Sequence, residues 1–213
     1  MNVEVLDDPA EAVADLLVQA RGDIVLTGGS SPERAYELAA ARRADWSGVT
    51  VWFTDERCVP PDHEQSNYAM TERVLLSRLE TPPRVERMKG ELGPEAGAQD
   101  YAATLGDEPE FELVLLGLGP DGHIASLFPG KHEKHLTDRL VVGVPEAGME
   151  PYVPRISLTL AAINAARQKV FLVTGASKQE AVRRAFGDEP DPESPAAHVR
   201  PVTVYLDPAA AGR

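Results

Sequence analysis

Between residues 117 and 130 the chain reads Gly-Leu-Gly-Pro-Asp-Gly-His-Ile-Ala-Ser-Leu-Phe-Pro-Gly, which sets the carboxylate of Asp121 two positions from the imidazole of His123. An imidazole changes charge near neutral pH, so it is the usual side chain for taking a proton from water. The surrounding glycines let the backbone approach a ligand closely. The run before them, Phe111-Glu112-Leu113-Val114-Leu115-Leu116, reads as a buried strand of a parallel sheet. In open α/β sheets the loops that leave the strand ends are where ligands bind. Taken alone, Asp-Gly-His is equally an ordinary turn with a surface histidine. Other loops of the same kind at other strand ends favour the chemical reading.

Two of those loops suit an anion. Thr27-Gly28-Gly29-Ser30-Ser31-Pro32 follows a strand and opens a helix, with Ser31 as the expected N-cap and Pro32 at the first helical position. Its amides would close around a phosphate at the positive end of the helix. Neither its glycine spacing nor its following residues match a dinucleotide fingerprint or a nucleotide P-loop. Gly175-Ala176-Ser177-Lys178 forms a second strand-to-helix corner, where Ser177 and Glu180 have the spacing of a capping box. Lys178 in a first helical turn opposes the helix dipole unless an anion sits nearby. A third loop, Thr54-Asp55-Glu56-Arg57 with Ser66-Asn67 further on, offers the planar donor fork of Arg57. Its other reading is a salt-bridged surface turn.

A formal charge of −13 argues against nucleic acid as a partner. It also means that a phosphate must be held by a local cluster of cations and amides. No apolar run is long enough to span a membrane, and the first residues lack the pattern of a signal peptide. The single cysteine, Cys58, has no partner for an internal disulfide and is expected to be structural. A cytoplasmic protein is the expectation. His63, His132, His135 and His198 carry no metal-ligand spacing and are read as surface residues.

Strand and helix signals alternate along the whole chain. Strands are expected at 3–6, 24–26, 49–53, 85–87, 111–116, 140–144, 170–173 and 202–206, with 155–160 as a further extended segment. Helices are expected around 13–20, over 32–41 and 67–79, near 98–105, and over 177–186. The residues at 187–195 read as a surface loop and those at 208–213 as a frayed tail. This alternation predicts an α/β fold, a mostly parallel sheet flanked by helices on both faces, in one domain spanning 1–213.

Together, TGGSSP at 27–32, DER at 55–57 with SN at 66–67, GLGPDGHIASLFPG at 117–130 and GASK at 175–178 resemble the 6-phosphogluconolactonase family. The blocks run in order from about residue 5 to residue 205. The resemblance implies a modified Rossmann-like fold, shared with glucosamine-6-phosphate deaminases and ribose-5-phosphate isomerase. It implies hydrolysis of 6-phospho-D-glucono-1,5-lactone in the oxidative pentose phosphate pathway, with no metal and no organic cofactor. Mild departures are Ser31 where threonine is common and Tyr205 where tryptophan is common. The deaminases carry DGHIAFNEP in the corresponding block, and their glutamate falls on Phe128 here.

On this reading His123 is the general base, with either Asp121 or Asp55 orienting it, and Arg57 or loop amides stabilise the oxyanion. Gly28, Gly29 and Ser30 with Lys178 and Arg155 hold the substrate phosphate, and Asn67 holds a sugar hydroxyl. The expected partner is a small phosphosugar lactone, with no nucleic acid and no membrane, bound by a monomer or small homo-oligomer. The alternatives are a glucosamine-6-phosphate deaminase or sugar-phosphate isomerase, and a non-catalytic sugar-phosphate sensor. A sensor of the transcriptional kind would need a DNA-binding helix pair ahead of the first strand.

Overall fold

Successive side chains of a strand leave it on opposite faces, and in the central sheet each face has its own core. The computed structural model describes residues 1–135 and 138–213. Its strands are β1 (Asn2–Val5), β2 (Gly22–Leu26), β3 (Val49–Phe53), β4 (Asp55–Arg57), β5 (Arg84–Val85), β6 (Phe111–Leu116), β7 (Val141–Val144), β8 (Arg155–Leu158), β9 (Gln168–Val173) and β10 (Thr203–Leu206). The helices are α1 (Pro9–Gln19), α2 (Ser30–Arg42), α3 (Asn67–Val74), α4 (Pro94–Leu105), α5 (Leu160–Ala165) and α6 (Gln179–Phe186). Ile24, Leu26, Val51, Phe53, Leu113 and Leu115 pack with α1, α2 and α3 on one face. Their neighbours Val25, Trp52, Val114 and Leu116 pack with α4, α5 and α6 on the other.

Among the described residues seven strands form the main sheet, in the order β1-β10-β9-β6-β2-β3-β5. Every pairing in it is parallel. The chain proceeds from β2 outward to β3 and β5, then returns to place β6 on the other side of β2. The order therefore reverses between β2 and β6, and a crevice opens there at the carboxyl ends of the strands.

A second sheet, antiparallel in the order β4-β8-β7, stands beside this edge. The expected extended segments 140–144 and 155–160 belong to it. The second of them stops at Leu158, because Thr159 caps α5 by accepting from the Ala162 amide at 3.3 Å. The helix expected over 67–79 also divides. It ends at Val74, Leu75 turns with φ −126°, and a 3₁₀ turn covers Leu76–Arg78. That break lets the consecutive residues Val74, Leu75 and Leu76 all be buried, which one continuous helix face does not allow. The tail is not frayed: the Ala210 amide donates to Asp207 Oδ1 at 2.7 Å, and Ala210 is 1% exposed.

Two buried tyrosines finish the strand ends that frame the crevice. The Tyr36 hydroxyl accepts from the Thr27 amide at 3.0 Å and donates to the Thr27 carbonyl at 2.8 Å. The Tyr101 hydroxyl does the same for Phe53, at 2.9 and 3.4 Å. No helix of the described residues is long and apolar enough to cross a membrane.

Candidate active site

A cavity of about 340 Å³ occupies the crevice, within the usual size of small-molecule sites. Its first wall is the corner between β2 and α2. Gly28, Gly29 and Ser30 line it, as do Ser31 and Pro32. Gly29 takes φ +98°, open to glycine and strained for other residues, and it is the N-cap of α2 without any side-chain cap. The helix thus begins at Ser30, one position before the expected cap. Ser31 instead pairs its hydroxyl with that of Thr174 at 2.7 Å, joining this corner to the one after β9. Pro32 moves to the third helical position, where its missing N–H is still no loss. A Cβ on Gly28 would collide with the Asn67 carboxamide, so glycine is needed for that side chain to reach the cavity.

The loop after β6 carries His123. The Gly119 amide donates to the His123 carbonyl at 2.8 Å, and the Gly122 amide to the Gly119 carbonyl at 2.9 Å, with Gly122 at φ +92°. Asp121 Oδ1 lies 2.6 Å from His123 Nδ1 and 3.1 Å from the His123 amide nitrogen. Burial works against ionisation of Asp121, but the hydrogen bond and charge of His123 outweigh it and hold the carboxyl below its ordinary value. An ionised carboxylate only accepts. The imidazole proton therefore sits on Nδ1 and the lone pair on Nε2. His123 lines the cavity, and Phe128 packs against its ring at 4.8 Å between centroids. Ala125, at φ +48°, is a non-glycine residue in the left-handed region and also lines the cavity.

Asp55 does not orient the imidazole. Its Oδ2 accepts from the Ser126 hydroxyl at 2.7 Å, and its Oδ1 from Asn67 Nδ2 at 3.2 Å and Thr54 Oγ1 at 3.1 Å. The Asn67 amide group also donates to the Asp55 carbonyl at 2.8 Å. Asp55 thus ties the His123 loop and the start of α3 to β4. Arg57 lines the cavity, and its Nη1 donates to the Gln65 carbonyl at 2.6 Å. Its Nε is buried without a partner among the described residues. A buried guanidinium N–H without a partner is costly to the fold.

The corner after β9 differs from the expected capping box. Gly175 takes φ +95°, its amide is held by both Asp207 oxygens at 3.0 Å, and a 3₁₀ turn over Ala176–Lys178 precedes α6. Glu180 binds Arg183 instead of reaching back. Ser177 is left to line the cavity beside Lys178 and Thr174. Burial lowers the pKa of the Lys178 ammonium, opposed by the charge of Asp121.

Arg155 lines the cavity but is 4% exposed, and most of its donors are already committed. Nε donates to the Val153 carbonyl at 3.2 Å, and Nη2 to the carbonyls of Pro151 and Met149 at 2.8 and 3.4 Å. Burial lowers its pKa. It braces the loop that brings Met149 and Glu150 to the cavity rim.

Cys58 is half-buried, and burial with the nearby Glu56 charge pushes its thiol up to about 11. His63 accepts from the Gln65 amide, and exposed His198 meets the Pro192 carbonyl. The expectation for His135 concerns a side chain outside the described ones. Among the described residues no group of three His, Cys, Asp or Glu is placed to hold a metal.

Sequence reasoning overlooked Glu56, Ser126, Thr174, Ser177 and Asp207. The Ser-Asn pair at 66–67 was the available signal for Glu56, since an N-cap next to a DER turn invites a carboxylate.

The chain resembles known proteins over nearly all its length. A family model described as glucosamine-6-phosphate isomerases/6-phosphogluconolactonase matches residues 3–206. A 6-phosphogluconolactonase of Synechocystis sp. is 38% identical over 194 residues, covering 86% of this chain and 79% of that protein. The solved 6-phosphogluconolactonase of Trypanosoma brucei superposes with a TM-score of 0.84 at 28% identity, covering 99% of this chain and 97% of that one. A monomeric glucosamine-6-phosphate deaminase superposes with a TM-score of 0.87 at 19% identity, covering 100% and 99%, which shows a shared fold alone.

Proposed function

The chain belongs to the glucosamine-6-phosphate isomerase/6-phosphogluconolactonase family, and from that premise we propose that it hydrolyses 6-phospho-D-glucono-1,5-lactone to 6-phospho-D-gluconate, in the oxidative pentose phosphate pathway. One observation carries this reading: His123, backed by Asp121, shares a single cavity with Lys178 and the Gly28–Ser30 corner.

His123 Nε2 takes a proton from water as the water oxygen attacks the lactone carbonyl. The resulting oxyanion is stabilised by Arg57, which lines the cavity, or by loop amides. Collapse of the tetrahedral intermediate breaks the bond to the ring oxygen, which takes the proton back from the imidazolium. Lys178 and the amides of Gly29 and Ser30 bind the phosphate, while Asn67, held by Asp55, binds a sugar hydroxyl. Arg155 contributes positive charge and the shape of the rim.

Asp55 acts here as a positioning residue for Ser126 and Asn67, replacing its expected contact with the imidazole. Phe128 stands where the deaminases carry a glutamate and offers no proton carrier. Lactone opening needs one base and one water, so it survives that difference, whereas amino-sugar isomerisation loses support. Residues 1–213 are taken as one domain working in the cytoplasm as a monomer or small homo-oligomer. Its charge of −13 supports the absence of nucleic-acid partners.

A coupled assay with freshly generated lactone tests the reading, run beside glucosamine 6-phosphate and ribose 5-phosphate and corrected for spontaneous hydrolysis. Turnover of the lactone alone is the expected result. Turnover of either sugar phosphate in its place, or of none of the three, would overturn it.

A further inference from the structure

Glu56 stands between Asp55 and Arg57 on β4, yet the chemistry above makes no use of it. Strand alternation sends its neighbours to the cavity, while Glu56 points the other way and is 3% exposed. Its Oε1 accepts from the amides of Arg57 and Asn67, both at 2.7 Å. Its Oε2 accepts from the Tyr68 amide at 2.8 Å and the Ser66 hydroxyl at 2.9 Å. All four partners are donors, and two of them are orphan amides in the first turn of α3. Burial raises the carboxyl pKa, opposed by these hydrogen bonds.

The carboxylate thereby joins a strand to a helix start eleven residues away, and each of the two carries one of the residues assigned to substrate. Arg57 is gripped at its own amide and at its guanidinium through Gln65. Asn67 is gripped at its amide and at its side chain through Asp55. We propose that Glu56 is a positioning residue for lactone hydrolysis, which locks β4 to α3 so that Arg57 and Asn67 meet the same substrate molecule. This inference rests on the functional reading of the preceding section.

The test is a mutant cycle. Glu56→Gln keeps the shape but turns an amide nitrogen toward donors it cannot accept from. We expect kcat/KM to fall at least tenfold, in kcat through displaced Arg57 and in KM through displaced Asn67. In an Arg57→Ala/Asn67→Ala background the same change should cost less than twofold, because nothing remains to be positioned. Equal losses in both backgrounds, or no loss in the first, would overturn the proposal. Glu56→Asp, which keeps the charge but is one methylene shorter, should show a smaller loss with the same non-additivity; it decides the matter if the glutamine variant does not fold. Wild-type kinetics in that variant would also overturn the proposal.

Ser66→Ala weakens the helix start but leaves the carboxylate–amide pairs in place, so it should lower Tm while kcat/KM stays within twofold. A kinetic loss equal to that of Glu56→Gln would reduce Glu56 to a structural role and overturn the proposal. Solvent exchange of the Arg57 Nε–H, followed by NMR without substrate, should accelerate at least tenfold in Glu56→Gln, and unchanged exchange would count against the proposal. Since this readout needs no turnover, a failure of the lactonase reading is seen separately, as a wild-type protein that leaves the lactone untouched.

Discussion

One oxygen of Asp121 serves His123 twice, accepting from the ring Nδ1 at 2.6 Å and from the backbone amide at 3.1 Å. The carboxylate therefore fixes both the tautomer of the imidazole and the turn that carries it. Because the Asp121 pKa is lowered, its stabilising contribution is present above the ordinary aspartate value and is lost only as pH falls through its still lower native value. The pair accordingly stays intact through neutral and mildly acid conditions.

Asp121→Asn keeps the size of the side chain but removes its charge, so the developing imidazolium loses its counter-charge. We expect kcat to fall about 10- to 10²-fold, with KM changed little. His123→Ala should fall further, by about 10²–10⁴, again in kcat. Initial rates for the two single variants and the double variant check this. A double variant much slower than His123→Ala would show Asp121 acting on something other than the imidazole.

Gly119 tests whether the exact seat of the ring matters. It has no left-handed backbone, so alanine is conformationally allowed, but an added Cβ would run into the His123 ring and the Asp121 carboxylate. The imidazole is the part able to yield. Gly119→Ala should therefore lower kcat about tenfold or more, the cost of displacing a general base, while Tm changes by only a few degrees. A large drop in Tm with normal kcat would mean that the loop backbone yields instead.

Much of this was written in local pattern. The apolar runs at 24–26, 49–53 and 111–116 gave the sheet, and the glycine-bearing corners gave the loops that line its cavity. The small antiparallel sheet was hidden, because Asp55-Glu56-Arg57 has the composition of a surface turn and becomes a strand only through pairing with Arg155–Ser157, a hundred residues away. A separation of 71 residues hid the partner of Asp55, since Ser126 reaches it only in the fold. The capping box at Ser177 failed because Asp207, from the far end of the chain, takes the Gly175 amide and reshapes the turn. At that corner a residue 32 positions away set the turn, and the local spacing carried no sign of it.

Tyr36→Phe separates the scaffold from the chemistry. It leaves the Thr27 amide and carbonyl buried without partners, a loss of about 1–3 kcal/mol. Urea unfolding should show the midpoint shift with an unchanged m-value. Since Thr27 leads into Gly28 and Gly29, KM should rise modestly while kcat holds. Unchanged stability would mean that another group satisfies Thr27.

Lys178 is the sharpest test of the anion corner. Lys178 lines the cavity from a turn held by Asp207, and burial already disfavours its charge. A bound phosphate repays that cost through charge-assisted hydrogen bonds of roughly 1.5–3 kcal/mol. Lys178→Ala should therefore weaken 6-phosphogluconate binding about 10- to 10²-fold by calorimetry, with a smaller effect on kcat. The pH dependence has a definite sign. A lysine whose pKa is lowered gives up its proton sooner as pH rises, so wild-type affinity should begin to fall below the pH at which an ordinary lysine titrates. The alanine variant should lack that alkaline decline, and a parallel decline in both proteins would assign it to another group.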